Sequence, residues 1–286
     1  MTDEETRVLT TGGQIDVREV GQGTTALFVH GLMVNGHVWD PLIAGLRDRF
    51  RMVLPDLPLG GHRTPLEPDA DCGLQAHAQR VVELARRLPP PVVLIGSDTG
   101  GAIAQIAVTL EPDLFDRLVL LPSDAFDNCP PRLLAPMRLL ADVPGAVRAV
   151  ALSLRLDLVR RAMMLLVSRR SPDPALLDVL LGELPGSRGV QRDFAKLLRG
   201  LRPEVTQAVA KELHRFRRPV LVVWSRRDPL FPFHHAQRLA SCFSHSSVAI
   251  AENSRAFVSL DEPEWLAARI AEFVAAGDGR PQADTR

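Results

Sequence analysis

The sequence predicts an α/β protein: a mostly parallel β-sheet flanked by helices, with an all-helical cap inserted after the sixth strand of the usual count. Three observations carry this. Short apolar runs alternate with helical segments through residues 1–129. Between 130 and 217 the strands stop, and only helical segments cut by Pro and Gly remain. At Pro219-Val-Leu-Val-Val-Trp224 the strand rhythm returns. The expected organisation is an α/β core over 1–129, a cap over 130–217, the rest of the core over 218–276, and a frayed polar tail over 277–286.

Gln14 to Arg18 reads as a strand near the sheet edge, and Thr25 to Val29 as a buried strand ending at His30-Gly31. Val38 to Arg47 has helical spacing, and Met52 to Leu54 is a strand that enters the Pro/Gly-rich loop 56–62. Leu74 to Leu88 is an amphipathic helix, apolar at Val81, Val82, Leu84 and Leu88 and stopped by Pro89-Pro90-Pro91. Val92 to Ile95 is a strand, Gly101 to Leu110 a helix, and Leu118 to Leu121 a strand. The cap segments include Arg132–Leu140, Ala146–Leu154, Val159–Val167 and Val190–Leu198. A helix at His234–Cys242, a strand at Ser247–Ile250 and a helix at Glu264–Ala275 complete the chain. Short apolar strands bounded by turns and separated by helices suit a parallel sheet covered on both faces.

At 286 residues, 46% hydrophobic and 24% charged, the chain can bury a large core, which excludes global disorder, collagen and coiled coil. Lys+Arg and Asp+Glu are both 34. A net charge of zero removes the usual argument for a nucleic-acid or anionic-membrane partner. Cys72, Cys129 and Cys242 are scattered, with no CxxC and no zinc spacing, and read as reduced thiols of a cytoplasmic protein. No metal or organic cofactor is implied, because no ligand cluster and no GxGxxG is present. Met1 to Arg7 is acidic and polar rather than signal-like, and no apolar run reaches the length of a membrane span. A homodimer is one assembly the reading admits.

The chemistry concentrates in Val92-Val-Leu-Ile-Gly96-Ser97-Asp98-Thr99-Gly100-Gly101. Glycines stand two before and two after one polar residue, between a strand and a helix, which is the strand–nucleophile–helix elbow. Such a turn lifts one side chain above the sheet, beside the helix N-terminus, where backbone N–H groups stabilise negative charge. Here that residue is Asp98.

With this elbow, His30-Gly31, Asp56-Leu57-Pro58, Asp228 after Trp224 and Glu262-Pro263 stand in order along the chain. In this the sequence resembles the α/β-hydrolase superfamily over nearly its whole length. The Asp in the elbow is similar to the haloalkane dehalogenase and epoxide hydrolase branch, and the GxDTGG form to uncharacterised actinobacterial α/β-fold hydrolases. The resemblance implies that Asp98 attacks an sp³ carbon to form an alkyl-enzyme ester. It implies that the N–H groups of Leu32 and Thr99 form the oxyanion hole, and that Asp228 orients a histidine that activates water.

The sequence departs from that pattern at the histidine. In the matching stretch, Ala251 to Pro263, Phe257 aligns with the aromatic of the family's Gly-His-Phe-like turn and Ala256 takes the place of His. The chain also contains no Tyr, the residue type with which that branch protonates an epoxide oxygen. Thr99 and Leu32 stand where dehalogenases carry halide-binding residues. His37 and His62 lie on loops of the catalytic side and are substrate-pocket candidates, as are Asp124 beyond the sixth strand, Phe126, Trp224 and Ala256. The Leu, Met and Val of the cap, such as Met163, Met164 and Leu165, would face the core or a hydrophobic small-molecule substrate.

Three functions fit. One is an atypical hydrolase with an incomplete triad. Another is a non-hydrolytic tailoring enzyme of secondary metabolism, using Asp98 as acid/base for cyclisation, isomerisation or carbon–carbon bond formation. The third is a ligand-binding module without catalysis.

Overall fold

The computed structural model describes residues 4–276; the tail expected to fray lies outside them. Eight strands form one sheet in the order β1-β2-β4-β3-β5-β6-β7-β8. They are β1 (Glu4–Thr10), β2 (Gly13–Gly21), β3 (Thr24–Val29), β4 (Phe50–Pro55), β5 (Val92–Asp98), β6 (Arg117–Ser123), β7 (Val220–Ser225) and β8 (Ser246–Ala251). β2 runs antiparallel to β1 and β4, and every other pairing is parallel. The central β5 (VVLIGSD) and β6 (RLVLLPS) are buried along their whole length, which is why they read as unbroken apolar runs.

β1 escaped the sequence reading. Its EETRVLT is mostly exposed, and it pairs on one edge only. With most of its side chains wet there is no clear alternation to detect; the backbone ladder to β2 is supplemented by Arg7 Nε donating to Asp16 at 2.9 Å and Thr10 Oγ1 donating to Gly13 O at 3.0 Å. The strand placed near the edge is accordingly second from it.

Helices α1 (Asp40–Leu46), α2 (Leu74–Ala85) and α3 (Thr99–Leu110) belong to the first part of the core. Seven helices then separate β6 from β7: α4 (Ala135–Leu140), α5 (Ala146–Ser153), α6 (Asp157–Val167), α7 (Pro174–Leu181), α8 (Glu183–Gly186), α9 (Arg188–Gly200) and α10 (Pro203–Glu212). α11 (His234–Ala240), α12 (Val258–Asp261) and α13 (Pro263–Ala275) close the chain. Of the cap helices, α7, α8 and α10 lie outside the segments anticipated from the sequence; α7 and α10 share a start signal. Both start with Pro at the first turn, and Asp173 caps α7 by accepting from Leu176 N at 3.0 Å.

Two sets of polar contacts fasten the cap to the core. On α9, Asp193 is fully buried and accepts from Leu66 N at 2.8 Å, with His62 Nε2 at 3.4 Å and Arg192 Nε at 2.9 Å. Lys196 Nζ donates to the carbonyls of Pro68 and Ala70 at 2.7 Å each. At the far end of α6, Phe257 N donates to Val167 O at 2.8 Å, and Ser168 Oγ donates to Asp261 at 2.7 Å. These contacts suspend α4 and α6 over the C-terminal end of the sheet.

Removing Asp193 leaves a buried imidazole and a buried N–H without their acceptor, which costs about 3 kcal/mol. Asp193→Ala should therefore lower the denaturant midpoint well beyond the change for Asp142→Ala, whose carboxylate is exposed on the same cap. Urea unfolding followed by far-UV circular dichroism measures both.

Candidate active site

β5 ends on Asp98, and α3 begins at the next residue. Asp98 sits at φ 57°, ψ −131°, a region that side-chain-bearing residues rarely adopt. Only glycines leave room for this turn. A Cβ on Gly96 would lie 2.7 Å from Gly100 O, one on Gly100 2.2 Å from His30 O, and one on Gly101 2.3 Å from Ser123 Cβ. Gly31 fits against the nucleophile itself: a Cβ there would lie 2.5 Å from Asp98 Cβ. Met33 (φ 63°) and Phe126 (φ 55°) are the other non-glycine residues with positive φ among the described residues. Met33 also borders the site, so backbone strain gathers there.

Two backbone donors converge on one oxygen of Asp98. Leu32 N lies 3.1 Å and Thr99 N 2.5 Å from Oδ1. Both accept no other role in the secondary structure, and together they form an oxyanion-hole pair. The Asp98 carboxyl faces a cavity of about 60 Å³. Its floor is Leu32, Met33 and Val34 of the loop after β3. Its roof is Leu134 and Met137 at α4 with Met163, Met164 and Val167 of α6, and Leu230 and Phe257 close one side. Apart from Asp98 these side chains are apolar.

Asp98 makes no ion pair among the described residues, and burial raises its pKa while the Leu32 and Thr99 N–H groups oppose the rise. Asp124 is fully buried beside it, held by Thr99 Oγ1 at 3.0 Å. Burial, and then repulsion by Asp98, push its pKa well up, while the Thr99 hydroxyl opposes the rise. Asp228 Oδ1 accepts from Leu230 N at 2.8 Å and Phe231 N at 3.2 Å, while Oδ2 is buried without a hydrogen bond. Burial outweighs those two N–H groups, and Asp98 adds repulsion, raising Asp228 to about 7. Asp98 and Asp228 thus each hold one oxygen on two backbone amides, but only Asp98 lines the cavity.

No imidazole reaches this group. None of the eight histidines lines the cavity or hydrogen-bonds to Asp98. His30 is buried, its Nδ1 2.9 Å from Gly31 O, and burial lowers its pKa to about 4. Ala256 is fully buried beside the cavity-lining Phe257, with no polar atom to offer.

The pocket candidates fare unevenly. Neither His37 nor His62 lines the cavity: His37 Nδ1 pairs with Asp40 Oδ2 at 2.8 Å, and His62 is engaged by the cap's Asp193. Phe126 packs edge-on to His235, under the Arg238 guanidinium. Trp224 is buried, with Nε1 donating to Phe231 O at 3.2 Å. Asp124 and Ala256 are neighbours of lining residues rather than lining residues themselves. Of the cap residues singled out, Met163 and Met164 line the cavity, whereas Leu165 is exposed. The reading missed Leu230 and Phe257 as walls. Their signal was adjacency, two residues beyond Asp228 and one beyond Ala256.

A family model of the alpha/beta hydrolase fold matches residues 26–263. The chain belongs to the α/β-hydrolase family. Among the relatives of this α/β hydrolase is an uncharacterised protein of Mycobacterium tuberculosis, 28% identical over 269 residues, covering 86% of this chain and 74% of that one. A pimeloyl-[acyl-carrier protein] methyl ester esterase of Vibrio vulnificus is 28% identical over 256 residues, covering 88% and 95%. Among solved structures, the epoxide hydrolase CorEH superposes with a TM-score of 0.80 at 19% identity, over 96% and 99% of the two chains. Haloalkane dehalogenase DbeA of Bradyrhizobium elkani superposes with a TM-score of 0.79 at 17% identity, over 96% and 100%. At these identities the superpositions establish the fold.

The folded hydrolase holds a proton on Asp228 that the unfolded chain releases above about pH 4. This group's contribution to stability is therefore intact below about pH 4 and is lost as pH rises through 7. Asp228→Asn removes that loss. The variant should gain about 2–4 kcal/mol relative to wild type between about pH 4 and pH 8. Paired urea titrations across that range measure the difference.

Proposed function

We propose that this α/β hydrolase is an enzyme that acts on a small hydrophobic organic molecule, with the Asp98 carboxylate attacking an electrophilic sp³ carbon. One observation carries the reading: the oxyanion-hole amides already hold Asp98's own Oδ1. In a serine-type esterase the hole must receive the carbonyl oxygen of the substrate. Here it is filled by the nucleophile, so the carbonyl it is placed to polarise is that of an ester formed on Asp98. The esterase named among the relatives therefore fits this site less well than chemistry at saturated carbon.

Oδ2 attacks the carbon, the carbon–halogen or carbon–oxygen bond breaks, and the bonding pair leaves with the departing atom. With an alkyl halide the products are a neutral Asp98 alkyl ester and a halide ion; with an epoxide the ring oxygen stays on the ester's alkyl group as an alkoxide and takes its proton from water. Hydrolysis of the ester needs a base on water, and the family's position for that base is Ala256. Ester formation also removes the negative charge that raises Asp228, so Asp228 ionises more readily once Asp98 is esterified. The ester forms faster than it is hydrolysed and accumulates.

A second reading rests on the missing imidazole together with a neighbouring acid near neutrality. Asp98 would shuttle a proton in an isomerisation or cyclisation, without a covalent stage.

Incubation with a short alkyl bromide or terminal epoxide, followed by peptide mass spectrometry, separates the two. The first reading expects the added mass on the peptide containing Asp98, none in Asp98→Asn, and catalytic turnover in Ala256→His. An unmodified Asp98 peptide across a panel of small electrophiles would contradict it and leave the proton-transfer reading.

A further inference from the structure

A net charge of zero conceals a polar molecule. Residues 130–217 carry sixteen Arg and Lys against eight Asp and Glu, while the rest of the chain carries eighteen against twenty-six. The excess is steepest over 130–170, with eight Arg and two Asp. Arg148, Arg155 and Arg170 in this stretch are exposed and, among the described residues, in no ion pair.

The same stretch holds helices that pack poorly against anything. α4, α5 and α6 together bury only Ala151 and Met164 fully, although eight of the eleven residues of α6 (DLVRRAMMLLV) are apolar. One face of α6 lines the cavity through Met163, Met164 and Val167. On another face Leu158 (80% exposed) and Leu165, seven residues apart, stand in water. Leu139 of α4 is 69% exposed, and Leu133 and Leu156 are exposed beside these helices. A monomer rarely leaves so many large apolar groups uncovered in one region.

We propose that the outer face of α4–α6 docks on a bilayer containing anionic lipid. A second copy of this chain is the poorer occupant, because a two-fold contact would set this basic surface against itself. Leucines interspersed with unpaired arginines suit an interface in which guanidinium groups meet lipid phosphates while leucines enter the acyl boundary. No helix among the described residues is long and apolar enough to cross a membrane, so the attachment is peripheral. The roof of the Asp98 cavity then lies at the lipid surface, where a hydrophobic substrate concentrates. This proposal runs against the expectation of no membrane partner drawn from whole-chain charge, and it stands whether or not Asp98 reacts.

The test is co-sedimentation of the full chain with vesicles of phosphatidylcholine alone, or of phosphatidylcholine and phosphatidylglycerol in equal amounts. Binding is expected to the anionic vesicles only, and to weaken with added salt. Arg148→Glu with Arg155→Glu should lower the affinity by about tenfold or more. Leu158→Gln with Leu165→Gln should lower it at unchanged net charge, and far-UV circular dichroism checks that both variants fold. A chain that stays in the supernatant with both vesicle types overturns the proposal and leaves an acidic protein as the occupant of this face. Binding that the leucine pair does not affect overturns it too, since only nonspecific charge attraction would remain.

Discussion

The site depends on one carboxyl group held by two backbone amides at the end of β5. Leu32 N and Thr99 N hold Oδ1 of Asp98 in a turn that the chain enters only because Gly96, Gly100 and Gly101 lack side chains. Gly31 brings the loop of Leu32 within contact of the Asp98 side chain. Strand, loop and helix N-terminus are all arranged around that contact. The strain at Asp98 is offset by burial of β5 and α3 on every side, so the geometry is set by packing rather than by the residue's own preference.

Around this group the electrostatics are unbalanced. Three buried acids gather here: Asp98 raises the pKa of both Asp124 and Asp228, and among the described residues no imidazole or bonded cation pairs with any of them. Such a cluster destabilises the folded protein at neutral pH, which is a common cost of a reactive site. Two amides favour negative charge on Asp98, while burial and the charge of Asp98 disfavour it on the other two acids. A carboxylate in an apolar chamber, short of hydrogen-bonding solvent, is a stronger nucleophile than one in water. What the arrangement lacks is a group to activate water. The place for one is occupied by the methyl group of Ala256, enclosed in the core beside Phe257.

Much of this was legible in the sequence, because it is local. The elbow is encoded by five residues whose spacing has a steric reason, and the buried strands are encoded by their apolar runs. The edge strand β1 is not encoded that way, since a strand with most of its side chains exposed leaves little trace in the apolar pattern. The pocket walls were less legible still. His62 sits on a catalytic-side loop, but Asp193, 131 residues further along the chain, turns its ring into the cap contact. Trp224 ends a strand at the crevice, but its indole N–H finds Phe231 O instead. Where each side chain points is decided by partners distant in sequence. The charge of the cap was countable from the start, but summing the whole chain cancelled it against an acidic core.

The central claim is that Asp98 reacts at carbon and that nothing then resolves its ester efficiently. Rapid-mixing measurement of halide release from a short alkyl bromide tests it most directly. A burst of about one equivalent per chain, followed by a much slower rate, is the predicted result. Linear release with no burst over many equivalents would reveal a base that resolves the ester as fast as it forms, and would contradict the account.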